Sequence, residues 1–258
     1  MGQKIENAKS LYLEGIRDGN YRQAIEKYAG NHYTQHSTGV KDGKEGFIEF
    51  FNRFVKNHPK RDIQIIRAIE DGQYVFLQVY QSLDDGKSEW VTTDFFDTDK
   101  NDKIIEHWDV ISAYSPSNPS GHSSIDGTTE VVDLNKTKFN KEVVQNLIRD
   151  VLMIGGNPEN IDNYISSVTY IQHNKEVPNG LEHFRPLALA ENKPLIYTDF
   201  FLTVGQGNFV ATLCRAEWEG KPYAQVDLFR LKEGLIVEHW DNMEPISPEI
   251  EWVNSGKF

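Results

Sequence analysis

Cysteine is almost absent from this chain. Cys214 is the single one, so no intrachain disulfide can form. Its place in an apolar, strand-like run reads as a small buried hydrophobe, not a nucleophile. Basic residues are outnumbered as well: 27 Lys and Arg stand against 39 Asp and Glu, a net charge of −12. That balance excludes a general affinity for nucleic acid or for anionic membranes. No long uninterrupted apolar run occurs, so no transmembrane helix is expected. The start, Met1-Gly2-Gln3-Lys4-Ile5-Glu6-Asn7, lacks the apolar core of a signal peptide. Glu6 also stands where a myristoylation signal has Ser or Thr. With the lone cysteine, these absences predict a cytoplasmic protein. Metal-ligand spacings of the His-x-x-x-His or Cys-x-x-Cys kind are missing too. His36, His107 and Asp109 have the right chemistry for a metal but no such spacing, so no metal is expected.

What is present is a repeat. The tetrapeptide Glu106-His107-Trp108-Asp109 recurs as Glu238-His239-Trp240-Asp241. Upstream, Tyr33, Gln35, His36, Gly43, Glu45 and Phe47 reappear as Tyr170, Gln172, His173, Gly180, Glu182 and Phe184, at a constant offset of 137 residues. The offset falls to 133 between Asp94 and Asp227 and to 132 between Glu106 and Glu238, as short loop deletions would produce. This period is far longer than the roughly 20–50 residues of a solenoid unit, and each copy is long enough to be a domain. The division expected is a first domain over 1–114, a linker over 115–135 and a second domain over 136–258.

Within each copy, helical periodicity comes first. Ile5, Ala8, Tyr12 and Ile16 share a face, Asp18-Gly19-Asn20 breaks the helix, and Ala24, Ile25 and Tyr28 follow. Gly43 opens a third helix carrying Phe47, Phe50, Phe51 and Phe54, which His58-Pro59 ends. Four strand-like runs then occupy 62–70, 73–82, 88–97 and 103–112, the first two meeting at the hairpin signal Asp71-Gly72. The second copy repeats this order, with Pro186 weakening its third helix. Helices followed by an antiparallel meander predict an α+β fold.

Strand alternation sorts the repeated motif. Ile105, His107 and Asp109 share one face, and Glu106 and Trp108 take the other. Val237, His239 and Asp241 share a face in the second copy, opposite Glu238 and Trp240. Asp94 with Phe96, and Asp227 with Phe229, come from the preceding strand and can approach the His/Asp face. Two carboxylates and a histidine beside aromatic rings have the makings of an acid–base site, because an apolar cavity raises a carboxylate pKa. The same side chains could instead form a structural hydrogen-bond network, with the aromatic residues as core. His36 and His173, each after Tyr-x-Gln, read either as helix-entry elements or as groups at the mouth of a cavity.

Tyr33-x-Gln35-His36, Gly43-Lys44-Glu45-Gly46-Phe47, Asp94-Phe95-Phe96 and Glu106-His107-Trp108-Asp109 resemble the SnoaL-like branch of the nuclear transport factor 2-like superfamily. The second copy matches through Tyr170-x-Gln172-His173, Asp227-Leu228-Phe229-Arg230 and Glu238-His239-Trp240-Asp241. Asp126-Gly127-Thr128-Thr129-Glu130 and Gly256-Lys257-Phe258 are similar to the group of predicted SnoaL-like aldol-condensation enzymes. The resemblance implies two tandem cone-shaped α+β barrels, each a strongly curved sheet around a pocket closed by N-terminal helices. It implies an intrachain pseudo-dimer with Trp108 and Trp240 near the seam, or a homo-oligomer. It further implies cofactor-independent acid/base catalysis on a small apolar or carbonyl ligand, by aldol-type cyclisation or isomerisation. In that reading Asp109 and Asp241 are the bases, and His107, His239, Asp94 and Asp227 orient or stabilise. Tyr33, Gln35, His36 and Phe96, with Tyr170, Gln172, His173 and Phe229, would contact ligand. The rival expectation is a non-catalytic binding or scaffolding protein, since the superfamily holds many. Asp97 stands where the second copy has Arg230, so one pocket is open to degeneration.

Overall fold

A computed structural model describes residues 2–258. In the first unit, helix α1 (Gln3–Ser10) runs on into wider π-type turns over Leu11–Arg17, and α2 (Tyr21–Tyr28) follows. The chain then enters strand β1 (Ala29–Gln35), helix α3 (Gly43–Asn57) and the strands β2 (Arg61–Asp71), β3 (Tyr74–Leu83), β4 (Ser88–Thr98) and β5 (Ile104–Ala113). The sheet order is β1-β5-β4-β3-β2, antiparallel except where β1 runs parallel to β5. The turn between β2 and β3 closes with Asp71 opposite Tyr74 and Gly72 at φ 59°, as the Asp-Gly dipeptide predicts.

The second unit repeats the plan. Helix α4 (Thr137–Leu147) continues in π-type turns over Ile148–Leu152, and a short 3-10 helix spans Pro158–Asn163. Strand β6 (Ile171–Gln172), helix α5 (Leu181–Leu189) and strands β7 (Leu195–Gln206), β8 (Phe209–Trp218), β9 (Lys221–Lys232) and β10 (Leu235–Pro245) follow, in sheet order β6-β10-β9-β8-β7. Helix α5 accommodates Pro186 yet is shorter than α3, consistent with the lost backbone donor. Both units are α+β, with helices against one face of a five-stranded sheet. Among the described residues no helix is long and apolar enough to cross a membrane.

Each unit has its own core on the helix-facing side of its sheet. In the first, Ile5, Leu11, Ile25 and Phe47 pack on Val75, Leu77 and Phe96. In the second, Val144, Leu147, Ile161 and Leu181 pack on Val210, Phe229 and Ile236. Burying each such side chain contributes about 1.5–3 kcal/mol. The apolar stripes seen at helical spacing are therefore what fasten the helices over the sheets.

The division of the chain differs from the sequence expectation. The first compact unit comprises Met1–Ala113 together with Ile246–Phe258, and the second is Tyr114–Pro245. The last 13 residues thus do not complete the second domain, and 114–135 is part of the second unit, not a free linker. Hydrogen bonds explain both assignments. Asn254 Nδ2 donates to the carbonyls of Ser37 (2.7 Å) and Val40 (2.8 Å). Asn118 Nδ2 does the same to Gln172 (2.6 Å) and Asn174 (3.2 Å). Each segment after a final strand carries the same asparagine hook, which satisfies buried carbonyls at the end of β1 or β6.

Gly127 shows how closely the second segment lies. Its φ is +88°, and an added Cβ would sit 2.2 Å from Glu238 Oε1 and 2.9 Å from Trp240 Cζ2. Glu238 is buried and held by His173 and Arg230, so it cannot swing away. Gly127→Ala is expected to lose about 2–4 kcal/mol in chemical denaturation, combining backbone strain and overlap. Gly39→Ala, with nothing within 4 Å of the new methyl, is expected to stay within about 0.5 kcal/mol of the parent.

Candidate functional site

The antiparallel pairing of β9 with β10 sets Asp227 directly opposite Asp241 and Phe229 opposite His239. All four side chains reach the wall of a cavity of about 360 Å³ in the second unit. Leu147, Leu152, Phe184, Leu195 and Trp218 make most of the rest of that wall apolar. Asp227 is almost fully buried and is a many-sided acceptor. Its Oδ1 receives Tyr197 Oη (3.0 Å), Gln225 Nε2 (3.0 Å) and His239 Nε2 (3.0 Å). His239 Nδ1 faces Gln172 Oε1 at 3.0 Å. That oxygen also accepts from the Asn174 N–H, while Gln172 Nε2 donates to Tyr170 Oη at 3.1 Å. The amide is therefore oriented, and both ring nitrogens of His239 are held in place.

Asp241 sits differently. Asn174 Nδ2 donates to its Oδ2 at 2.7 Å, but among the described residues no Lys or Arg pairs with it. Burial pushes its carboxyl above the ordinary range. Asp227 opposite adds to that, and His239, Asn174 and Gln225 offset it only in part. Burial likewise raises the Tyr170 and Tyr197 hydroxyls well above their ordinary values, with Asp227 adding to both, so both stay protonated donors. Gln225 Oε1 is buried at the wall without a hydrogen-bond partner among the described residues.

The first unit carries the same skeleton with a different outcome. Asp94 lies opposite Asp109 and Phe96 opposite His107. Asp94 Oδ1 accepts from Tyr12 Oη (2.7 Å) and His107 Nε2 (2.9 Å), and His107 Nδ1 faces Gln35 Oε1 at 3.0 Å. Burial raises the Asp94 carboxyl, with His107 opposing. Asp109, however, receives a cation from the far end of the chain. Lys257 Nζ is 3.2 Å from Asp109 Oδ1, and both side chains are buried. Burial alone would raise the Asp109 carboxyl, but the Lys257 ammonium, helped by His107, holds it below the ordinary range. The cavity here is only about 110 Å³, because Phe47, Phe50, Phe51 and Phe54 of α3 crowd it. The Gly256 carbonyl that meets His36 is followed by Lys257, whereas the Ser123 carbonyl that meets His173 is followed by Ser124, which brings no cation to Asp241.

Most sequence-expected residues are brought together. His107, Asp109, Tyr33, Gln35 and Phe96 line the first cavity, while Asp94 stands behind His107. Asp227, His239, Asp241, Tyr170, Gln172 and Phe229 line the second. His36 and His173 are the exception: they line neither. His36 is clamped between Glu106 Oε1 (2.8 Å) and the Gly256 carbonyl (2.7 Å) and stacks on Trp108 at 4.8 Å. His173 is clamped between Glu238 Oε1 (3.0 Å) and the Ser123 carbonyl (2.8 Å) and stacks on Trp240 at 4.5 Å. The Glu/Trp face of the motif thus holds a histidine and the covering segment, on the side away from the pocket. Tyr12, Tyr197, Asn174, Gln225 and Lys257 carry no sequence signal for the site, since each reaches it from another element.

Residues 11–107 match the family described as SnoaL-like domain. That match lies within the first unit, which is to that extent similar to a SnoaL-like domain. The second unit, outside that match, has the same element order and the same strand order. No curated protein matches the chain. Among solved structures, a proposed polyketide cyclase from Bacillus cereus is similar at 18% identity and TM-score 0.38, covering 42% of this chain and 74% of that one. IdmH from Streptomyces antibioticus, also a proposed polyketide cyclase, is similar at 14% identity and TM-score 0.38, covering 43% and 93%. TsrD from Streptomyces laurentii is similar at 13% identity and TM-score 0.38, covering 43% and 91%. At these values no activity passes from those proteins to this one.

The Lys257–Asp109 pair has a measurable signature. Lys257→Met leaves a buried carboxylate uncompensated and is expected to destabilise the first unit by about 3 kcal/mol at neutral pH. Adding Asp109→Asn removes the orphaned charge and is expected to restore most of that loss. A double-mutant cycle by thermal or urea unfolding checks the coupling.

Proposed function

We propose that the second unit is the working site of a cofactor-independent acid/base enzyme acting on a small, largely apolar carbonyl compound. The observation that carries this reading is Asp241: a carboxylate of raised pKa, on the wall of a roomy apolar cavity, with no cation to neutralise it. A raised pKa strengthens it as a base. The carboxylate takes the proton α to the substrate carbonyl, and the C–H electron pair passes into the enolate. Tyr170 is placed to donate to the enolate oxygen. Its own oxygen already accepts from Gln172 Nε2, which leaves its proton free for ligand. Where the substrate carries a β,γ double bond, the enolate is a dienolate, and Asp241 returns the proton to its γ-carbon in an isomerisation. In an aldol cyclisation the enolate carbon instead attacks a second carbonyl, and the proton goes to the new alkoxide. His239, fixed by Asp227 and Gln172, stands beside the base as an oriented imidazole.

The non-catalytic alternative is favoured for the first unit alone. There Lys257 occupies the place at Asp109 where a substrate C–H would have to approach, and the aromatic row leaves little space. The first unit then serves as a structural partner, with the ligand-contacting role confined to the second.

Proton abstraction is tested without knowing the natural substrate. 2-Tetralone in deuterated water exchanges its α-protons slowly, and NMR follows the rate. The chain is expected to accelerate that exchange, and Asp241→Asn to cut the acceleration at least about 100-fold. Asp109→Asn is expected to keep most of it. The rate should climb with pH through an apparent pKa above about 3.9, the ordinary aspartate value, because the raised pKa delays formation of the base. An Asp241→Asn variant as fast as the parent, or no acceleration at all, would overturn the reading.

A further inference from the structure

The clamp on His173 contains more than its counterpart needs. In the first unit, His36 is satisfied by Glu106, one backbone carbonyl and Trp108. His173 has the equivalents of all three in Glu238, the Ser123 carbonyl and Trp240. Two further side chains, His122 and Asp126, stand beside it. Asp126 Oδ1 is 2.7 Å from His173 Nδ1, and Asp126 Oδ2 is 3.8 Å from His122 Nδ1. The three potential ligand atoms lie within 4.8 Å of one another. Asp126 Oδ2 also accepts from the Ser123 N–H at 3.1 Å and the His122 ring lies 5.1 Å from that of His173, so the loop gathers an imidazole and a carboxylate around the buried Nδ1.

The geometry points to a divalent-metal site, of the class that takes Zn²⁺, built by His122, Asp126 and His173 on the covering segment of the second unit. Two imidazoles and a carboxylate are a zinc donor set, and the Ser123 carbonyl or a water can supply the fourth position. The surroundings of His173 suit a ligand. Its Nε2–H donates to Glu238, whose other oxygen is held by Arg230, and the ring rests flat on Trp240 at 11°. A carboxylate behind the distal nitrogen fixes the tautomer and makes Nδ1 the coordinating atom. Zinc bonds of about 2.0–2.2 Å place tetrahedral ligands roughly 3.3 Å apart. His122 must therefore close in and Asp126 Oδ1 must draw back slightly from His173 Nδ1; His122 is half-buried and Asp126 exposed, both on a loop. Coordination through Nδ1 replaces its present contacts with the Ser123 carbonyl and Asp126 Oδ1. It also moves the His122 proton from Nδ1 to Nε2, so the 3.2 Å bond from Asn179 Nδ2 to His122 Nε2 must be given up. The metal would staple residues 122–126 to the end of β6. It lies on the Glu/Trp side of the motif, not among the cavity residues, so it is independent of the acid/base reading.

Equilibrium dialysis of the full chain against zinc, with Co²⁺ absorption as a second probe, tests this. One ion per chain is expected, with tetrahedral Co²⁺ bands and a zinc-dependent rise in Tm. His122→Ala and Asp126→Asn, both in a loop that tolerates change, are each expected to weaken binding at least about tenfold and to abolish the Tm rise. His173 is left intact because its ring is also structural. No ion retained by the parent chain, or retention that both substitutions leave unchanged, would overturn the assignment. Deuterium exchange in 2-tetralone is read separately and does not bear on it.

Discussion

Each unit buries two aspartates directly across from one another on neighbouring antiparallel strands, Asp94 with Asp109 and Asp227 with Asp241. Like charges so placed repel, and burial adds a desolvation cost to each. Much of the local structure answers that constraint. In both units a histidine from the next strand takes the inner aspartate, a glutamine from the first strand orients the histidine, and a tyrosine from a separate element donates to the same carboxylate. The conserved element order of the two units delivers these groups to one spot by equivalent routes.

The two units then diverge at the outer aspartate. In the first, a lysine from the end of the chain neutralises Asp109, and an aromatic row fills the space above it. In the second, a serine follows the carbonyl that meets the clamped histidine, and Asp241 keeps a raised pKa beside a larger cavity. The same repulsive pair is thus met by a lysine in one copy and not in the other. A buried charge without a partner is costly for stability and useful for proton transfer. That difference, more than the shared motif, distinguishes the two pockets.

Much of this was legible beforehand because it rests on short-range periodicity. Period-two alternation placed His107 with Asp109 and His239 with Asp241 on one face, and Glu106 with Trp108 and Glu238 with Trp240 on the other. Hairpin adjacency brought Asp94 and Asp227 to them. The same alternation could not say what the Glu/Trp face meets. It meets His36 and His173, which is why those two histidines leave the pocket despite their repeated Tyr-x-Gln-His setting.

By itself, then, the sequence determined the duplication, the α+β order of each copy and the pocket-facing His and Asp residues, since all of these follow from local pattern and repeated spacing. Only the tertiary structure decided which segment covers which unit, and with it the charge state of the two pockets. Lys257 meets Asp109 across 148 residues, and Asn118 and Asn254 hook backbone far from them in the chain. No periodicity reports such pairings. They depend on where folded strands leave unsatisfied carbonyls and buried charge, and that is settled only when the sheets have formed.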